Sequence, residues 1–197
     1  MRHVGLAGLS CCLLLMNAPT WAKEQKGTVD MDSAMTLYAK LAAPAEPHNR
    51  MASRAGSWST ITKEWTDPQK PPTESAGACE HTMVLGGRFL RQECTGDMMG
   101  QPFTGIGFLG YDNHRKKYVS TWMDSMGTGI FHMEGKAGSD AKRITLTGRY
   151  DDPLQGPMKL RAVTKLVDRD HEVFEMYGAA KTGKETKMLE IVYTRKQ

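Results

Sequence analysis

The sequence lacks the signatures that usually disclose a reaction. Its six histidines stand at 3, 48, 81, 114, 132 and 171. No two share the His-Glu-x-x-His spacing that aims paired imidazoles at one metal ion, so that kind of metal centre is not expected. No serine has the Gly-x-Ser-x-Gly surroundings of a nucleophile elbow. Gly105, Gly107 and Gly110 fall inside a strand-like pattern and open no helix, so they form no phosphate loop, and no cofactor is expected. Charge of one sign is also missing. The 26 basic and 22 acidic residues give a formal net charge of +4 with the two signs interleaved, as in Lys159, Arg161, Lys165, Asp168 and Asp170. Nucleic-acid binders concentrate their basic residues, so nucleic acid is not an expected partner. The uncharged run Val4–Met16 is too short to span a bilayer, and no integral membrane span is expected.

That run reads instead as the centre of a secretory leader, residues 1–22. Arg2 and His3 precede it and Ala18-Pro19-Thr20-Trp21-Ala22 follows, with Thr20 and Ala22 as the small residues of a cleavage site. Export to the periplasm or beyond is the expectation. Lipid attachment at Cys11 or Cys12 is the competing reading. Leu13-Leu14-Leu15 prolongs the apolar run past both cysteines, and Cys12 follows another cysteine in place of a small residue, which argues against it. Cys79 and Cys94 then remain, an even count that suits one bridge in an exported protein, with two free thiols as the alternative. Each lies seven residues from the nearer glycine of Gly86-Gly87. A tight hairpin would set them face to face, with Cα atoms about 4.5–5.5 Å apart.

Residues 23–55 read as a helical segment. Asp32 or Ser33 can cap a helix on which Met35, Leu37, Tyr38, Leu41 and Ala42 recur at helical intervals, and Pro44 ends it. A second short helix fits Glu46 to Arg54, with Pro47 in its first turn, where a missing N–H costs nothing. From Gly56 to the C-terminus the texture changes to short segments rich in β-branched and aromatic residues, punctuated by turn residues every 8 to 12 positions or so. Ten strands are expected. Short connections make sequential strands neighbours, and closing ten of them on themselves removes both edges. The fold class is therefore all-β, an antiparallel up-and-down barrel over 56–197 preceded by one or two short helices. Ten strands enclose more space than eight, which already admit one small ligand.

Candidate site residues follow from this barrel. If Tyr111 pairs with Tyr118, Gly107 faces Trp122 and Gly105 faces Asp124, so two missing side chains make room for an indole and a carboxylate. Methionines at 98, 99, 123, 126, 133, 158, 176 and 188 lie in or near strands, and flexible thioethers suit a wall that accepts apolar shapes. Trp122, Asp124, Phe131, His132 and Met176 are the candidate lining of a site for a small, largely apolar molecule. The alternative is a cell-envelope enzyme of isomerase or hydrolase type that uses His132 or paired interior carboxylates, Asp124 with Glu134 or Glu175.

The words Gly86-Gly87-Arg88-Phe89-Leu90, Met98-Met99-Gly100-Gln101-Pro102-Phe103, Gly110-Tyr111-Asp112, Asp124-Ser125-Met126-Gly127-Thr128-Gly129, Tyr150-Asp151-Asp152-Pro153 and Phe174-Glu175-Met176-Tyr177 occur in that order. In them the chain resembles the exported bacterial family catalogued as domain of unknown function 1579. The resemblance implies a calycin-like barrel, the shape of lipocalins, fatty-acid-binding proteins and nitrobindins, and no established activity. Gly56-Ser57-Trp58 also resembles the Gly-x-Trp start of lipocalins. There the tryptophan closes one barrel end beneath a basic residue from a late strand, which implies Arg195 as partner of Trp58. Haem binding of the nitrobindin kind would want a late-barrel histidine, and none follows His171.

Overall fold

The structure is a computed structural model that describes residues 30–98, 100–180 and 183–197. The leader with Cys11 and Cys12, and Met99, lie outside the described residues. Two helices come first, α1 (Met31–Ala42) and α2 (Glu46–Ala52). The cap of α1 is Asp30, whose carboxylate accepts the Ser33 amide at 3.0 Å, where Asp32 or Ser33 was expected. The apolar positions of α1 do not form a buried face, and Met35, Leu37 and Tyr38 are exposed. In α2, Pro47 occupies the first turn, and His48 Nδ1 accepts the Ala45 amide at 2.9 Å.

Ten strands follow: β1 (Gly56–Glu64), β2 (Thr73–Val84), β3 (Phe89–Met98), β4 (Gln101–Asp112), β5 (Lys117–Asp124), β6 (Phe131–Ala137), β7 (Arg143–Asp152), β8 (Gly156–Leu166), β9 (His171–Ala180) and β10 (Thr186–Arg195). Each pairs antiparallel with its neighbour, and β1 pairs with β10 from Trp58↔Arg195 to Glu64↔Leu189, so the barrel is closed. Aspartates build many of the turns. The carboxylates of Asp67, Asp112, Asp140, Asp152 and Asp168 each accept the amide two residues on, at 2.8–3.1 Å, which supplies the bend without help from the ladder.

The β2–β3 hairpin has the register expected from its glycine pair, with Cys79 opposite Cys94 and a disulfide between them. Its connection is longer than the two-residue turn expected. Strand pairing stops at Val84↔Phe89, and Leu85, Gly86 and Gly87 all take positive φ, 51°, 65° and 82°. Two glycines in a row make that left-handed excursion cheap at both of their positions.

Large apolar side chains fill the barrel end where the odd-numbered strands begin. Met51 of α2 inserts there among Leu90, Leu109, Tyr118 and Leu146, all buried. α2 is held over this end, and the chain before it is tied down by Asn113, whose amide donates to the Leu41 and Ala43 carbonyls. On the outer wall Glu175 bonds Lys165 and Lys187 at 2.6 and 2.7 Å. Burial alone would raise its carboxyl, but the two ammonium groups outweigh it and hold the value at about 2.

Two measurements test this account. Cys94→Ala should lower stability by roughly 3 kcal/mol, the chain-entropy worth of a loop of this length, while far-ultraviolet circular dichroism stays that of the barrel. Equal melting of mutant and wild type under oxidising conditions would contradict it. Glu175 has a depressed folded-state value, so its stabilising contribution is complete above the ordinary carboxyl value of 4.5 and fades as pH falls toward about 2. Glu175→Gln should therefore flatten the acid limb of a stability-against-pH curve, and an unchanged limb would show that the pair contributes nothing.

Candidate functional site

The barrel interior holds a blind cavity of about 270 Å³, many times the volume one water occupies on the same measure. Period-two alternation decides which residues reach it. The floor is built at the junction of α2 and β1. Arg54 lies just beyond α2 and grips Glu172 of β9 with two bonds, Nε to Oε2 at 2.7 Å and Nη2 to Oε1 at 2.5 Å, both side chains buried. Burial disfavours the Arg54 charge, but the carboxylate more than compensates, so the guanidinium stays protonated. The Arg54 carbonyl accepts from Trp58 Nε1 at 3.1 Å and meets His81 Nδ1 at 3.3 Å.

Trp58 is fully buried. The Arg195 guanidinium lies 4.2 Å from its ring centroid, while Arg195 Nη1 and Nη2 donate to the carbonyls of Ala55 and Ser53 at 2.6 and 2.9 Å. The two residues expected at a barrel end are thus in contact there. Tyr193 packs edge-on to Trp58, and its phenol is pushed up by burial and by the Glu172 carboxylate, so it stays neutral. His81 is driven down to about 3 by burial and then by the Arg54 charge, so it is neutral too.

The wall is apolar and aromatic. Gly105 and Gly107 face Asp124 and Trp122 in the register expected, and the indole lies across both glycines. A Cβ on Gly105 would come within 2.3 Å of Trp122 Cζ2, and one on Gly107 within 2.6 Å of Cε3. Trp122 Nε1 donates to Asp124 Oδ2 at 2.9 Å, and Asp124 Oδ1 accepts the Met126 amide at 3.0 Å. Phe131 stacks on Tyr150 with centroids 4.9 Å apart. Trp122, Asp124, Phe131 and Met176 all line the cavity, together with Phe174. Glu64 and Asp97 join Asp124 where the cavity nears the ends of β1, β3 and β5. Burial there, and the Asp97 charge beside it, raise the Glu64 carboxyl.

His132 does not belong to this set. Phe131 and Met133 point inward, so His132 between them is exposed on the outer face. Adjacent strand residues cannot both line one side, and a choice between Phe131 and His132 was available from that rule alone. The carboxylates proposed as an acid–base pair do not meet either. Asp124 faces inward. Glu134 bonds Arg115 and Lys117, and Glu175 bonds Lys165 and Lys187, all on the outside. Sequence reasoning missed Arg54, Glu172 and Tyr193. For Glu172 the signal was present, because it shares the face of Met176 at intervals of two.

A family model described as "Protein of unknown function (DUF1579)" matches residues 43–195, which covers α2, the whole barrel and every residue of the floor and wall just described. The chain belongs to this family. The motif resemblance seen in the sequence and the calycin-like barrel it implied are thereby borne out. No curated protein matches the sequence. Among solved structures, Rv2717c from M. tuberculosis superposes with a TM-score of 0.57 at 16% identity, over 79% of this chain and 100% of that one. The S-type phycobiliprotein lyase CPES from Guillardia theta does so with a TM-score of 0.52 at 12% identity, over 76% and 92%. At such identities the likeness is one of fold.

The indole's seat gives a direct test. Gly105→Val should displace Trp122, cost about 1–3 kcal/mol as overpacking does, and change the tryptophan emission spectrum. A variant with wild-type stability and emission would mean that the indole does not occupy the glycine notch.

Proposed function

We propose that this DUF1579 protein is an exported, non-enzymatic binding protein that takes a small, largely apolar molecule into the blind end of its barrel. The observation that carries the reading is the cavity itself. It is closed beneath by the Trp58–Arg195 and Arg54–Glu172 contacts and walled by Trp122, Phe131, Phe174 and Met176, with charged groups confined to its two ends. Such a site, mostly apolar with a few placed polar groups, has the form of small-molecule pockets in general. Export rests on the leader pattern of residues 1–22 and on the bridge, which suits an oxidising compartment. Among the described residues no helix is long and apolar enough to cross a membrane.

The alternative of an envelope isomerase or hydrolase has an architectural precedent, since a phycobiliprotein lyase shares the fold, and fold alone does not choose between activities. Binding is favoured because Asp97, Asp124 and Glu172 among the inward carboxylates are engaged structurally, by the Gly100 amide, by Trp122 and the Met126 amide, and by Arg54, which leaves Glu64, with its raised carboxyl, as the group the enzyme reading would use.

Protein purified from cell envelope should release an apolar compound detectable by mass spectrometry. Emptied protein should bind an apolar fluorescent dye with quenching of tryptophan emission. Trp122→Ala should weaken that binding up to about tenfold, the worth of one aromatic contact. An empty barrel that takes up no dye removes the proposal, and turnover of a released compound would favour the enzyme.

A further inference from the structure

The bridge is set in the cavity wall beside an imidazole. Cys79 and Cys94 face each other across β2 and β3, and His81 lies two residues beyond Cys79 on the same inward face. The two sulfurs and a ring nitrogen of His81 all lie within 4.8 Å of one another. A tetrahedral zinc ion, with bonds of about 2.3 Å to sulfur and 2.0 Å to nitrogen, needs ligand atoms some 3.5–3.8 Å apart. Freed from each other, the two sulfurs can reach that spacing by side-chain rotation alone.

The imidazole is held at both ring nitrogens. Its Nδ1 meets the Arg54 carbonyl at 3.3 Å, and a carbonyl can only accept, so Nδ1 carries the hydrogen. The Nε2 lone pair is then directed at the Gln92 amide 3.2 Å away. A backbone carbonyl on one ring nitrogen is the usual support of a metal-bound histidine, and zinc at Nε2 would take the place of the Gln92 amide. Charge agrees as well. Two thiolates, one neutral imidazole and a divalent ion sum to zero, which avoids the cost of burying net charge. Cys79, Cys94 and Gln92 line the cavity, so an ion has a path in through the lumen.

We infer that Cys79, Cys94 and His81 form a zinc site in the barrel wall when the bridge is reduced, so that disulfide and metal are alternative closures of one hairpin position. A dithiol can supply the reducing electrons. The S–S bond breaks, each cysteine sulfur gains an electron and a proton, and the two donor thiols lose theirs and join as a disulfide. Zinc binding then displaces both cysteine protons to solvent.

The full chain carrying Cys11→Ser and Cys12→Ser isolates the pair for a test. It is reduced with a phosphine, which breaks the same bond and leaves as its oxide with an oxygen from water, and is then titrated anaerobically with cobalt as a spectroscopic stand-in for zinc. One equivalent should bind with a thiolate-to-cobalt charge-transfer band, zinc should abolish the band, and the oxidised protein should show none. His81→Ala should weaken binding by tenfold or more, taking outer-sphere losses of about 10–100-fold as a floor. X-ray absorption of the zinc-loaded protein should count two sulfurs and one imidazole. The inference is overturned by a folded, reduced protein without the band, by affinity indifferent to His81→Ala, by a different ligand count, or by reduction that unfolds the chain even with zinc present. None of these outcomes depends on whether the cavity also binds an apolar molecule.

Discussion

Closure of one barrel end is the constraint on which the rest depends. Ten strands alone make a tube. What makes this tube blind is the passage from α2 into β1, where Arg54 is gripped by Glu172 from β9 and Arg195 from β10 reaches back to the Ser53 and Ala55 carbonyls over the face of Trp58. A buried ion pair of this kind adds little net stability, since desolvation consumes most of the attraction. Its contribution is geometric. A planar guanidinium held by both carboxylate oxygens has one orientation, and it fixes the carbonyl that receives Trp58 and His81. Removing either charge would leave the other buried alone, so the floor works only as a set.

The walls follow from the floor by alternation. With Trp58 inward, Thr60, Thr62 and Glu64 must also face in, and the ladder hands the same parity to every other strand. The outcome is a division of charge. Arg115 and Lys117 neutralise Glu134 outside, and Lys165 and Lys187 neutralise Glu175, while the lumen keeps an aromatic middle. Space survives there because Gly105 and Gly107 let the Trp122 indole lie flat against β4 instead of standing into the lumen, and Asp124 pins it in that pose. An unfilled interior lowers stability, yet Trp122 is held where it does not plug it.

How much of this the sequence disclosed depended on the range of the interaction. The Cys79–Cys94 register and the glycine notch under Trp122 were legible because a hairpin converts spacing into opposition, and one turn suffices to set it. Ten strands were legible because aspartate and glycine turns punctuate them. The Arg54–Glu172 pair was not legible, since 118 residues separate its members and only closure, with β10 between them, brings β9 near the start of β1. His132 was misplaced for a different reason. Residue type suggested a site, whereas the parity of β6, fixed by Phe131 and Met133, put that side chain in solvent. Trp58 with Arg195 came from likeness to lipocalins, and no spacing rule would have paired them.

The hairpin that carries the bridge puts a reducible bond in the wall, and this couples two properties that are usually separate. Cys79 and Cys94 line the same lumen as Trp122, so the shape and polarity a guest meets on that side depend on whether the sulfurs are joined. Reciprocity then applies. A guest that fits one state of the pair better than the other must shift the equilibrium between those states by the same factor by which they alter its affinity. The coupling needs no long path, because Cys94, Gly105 and Asp124 stand in one row across three adjacent strands. The same row that staples the barrel therefore borders the space the barrel was closed to make.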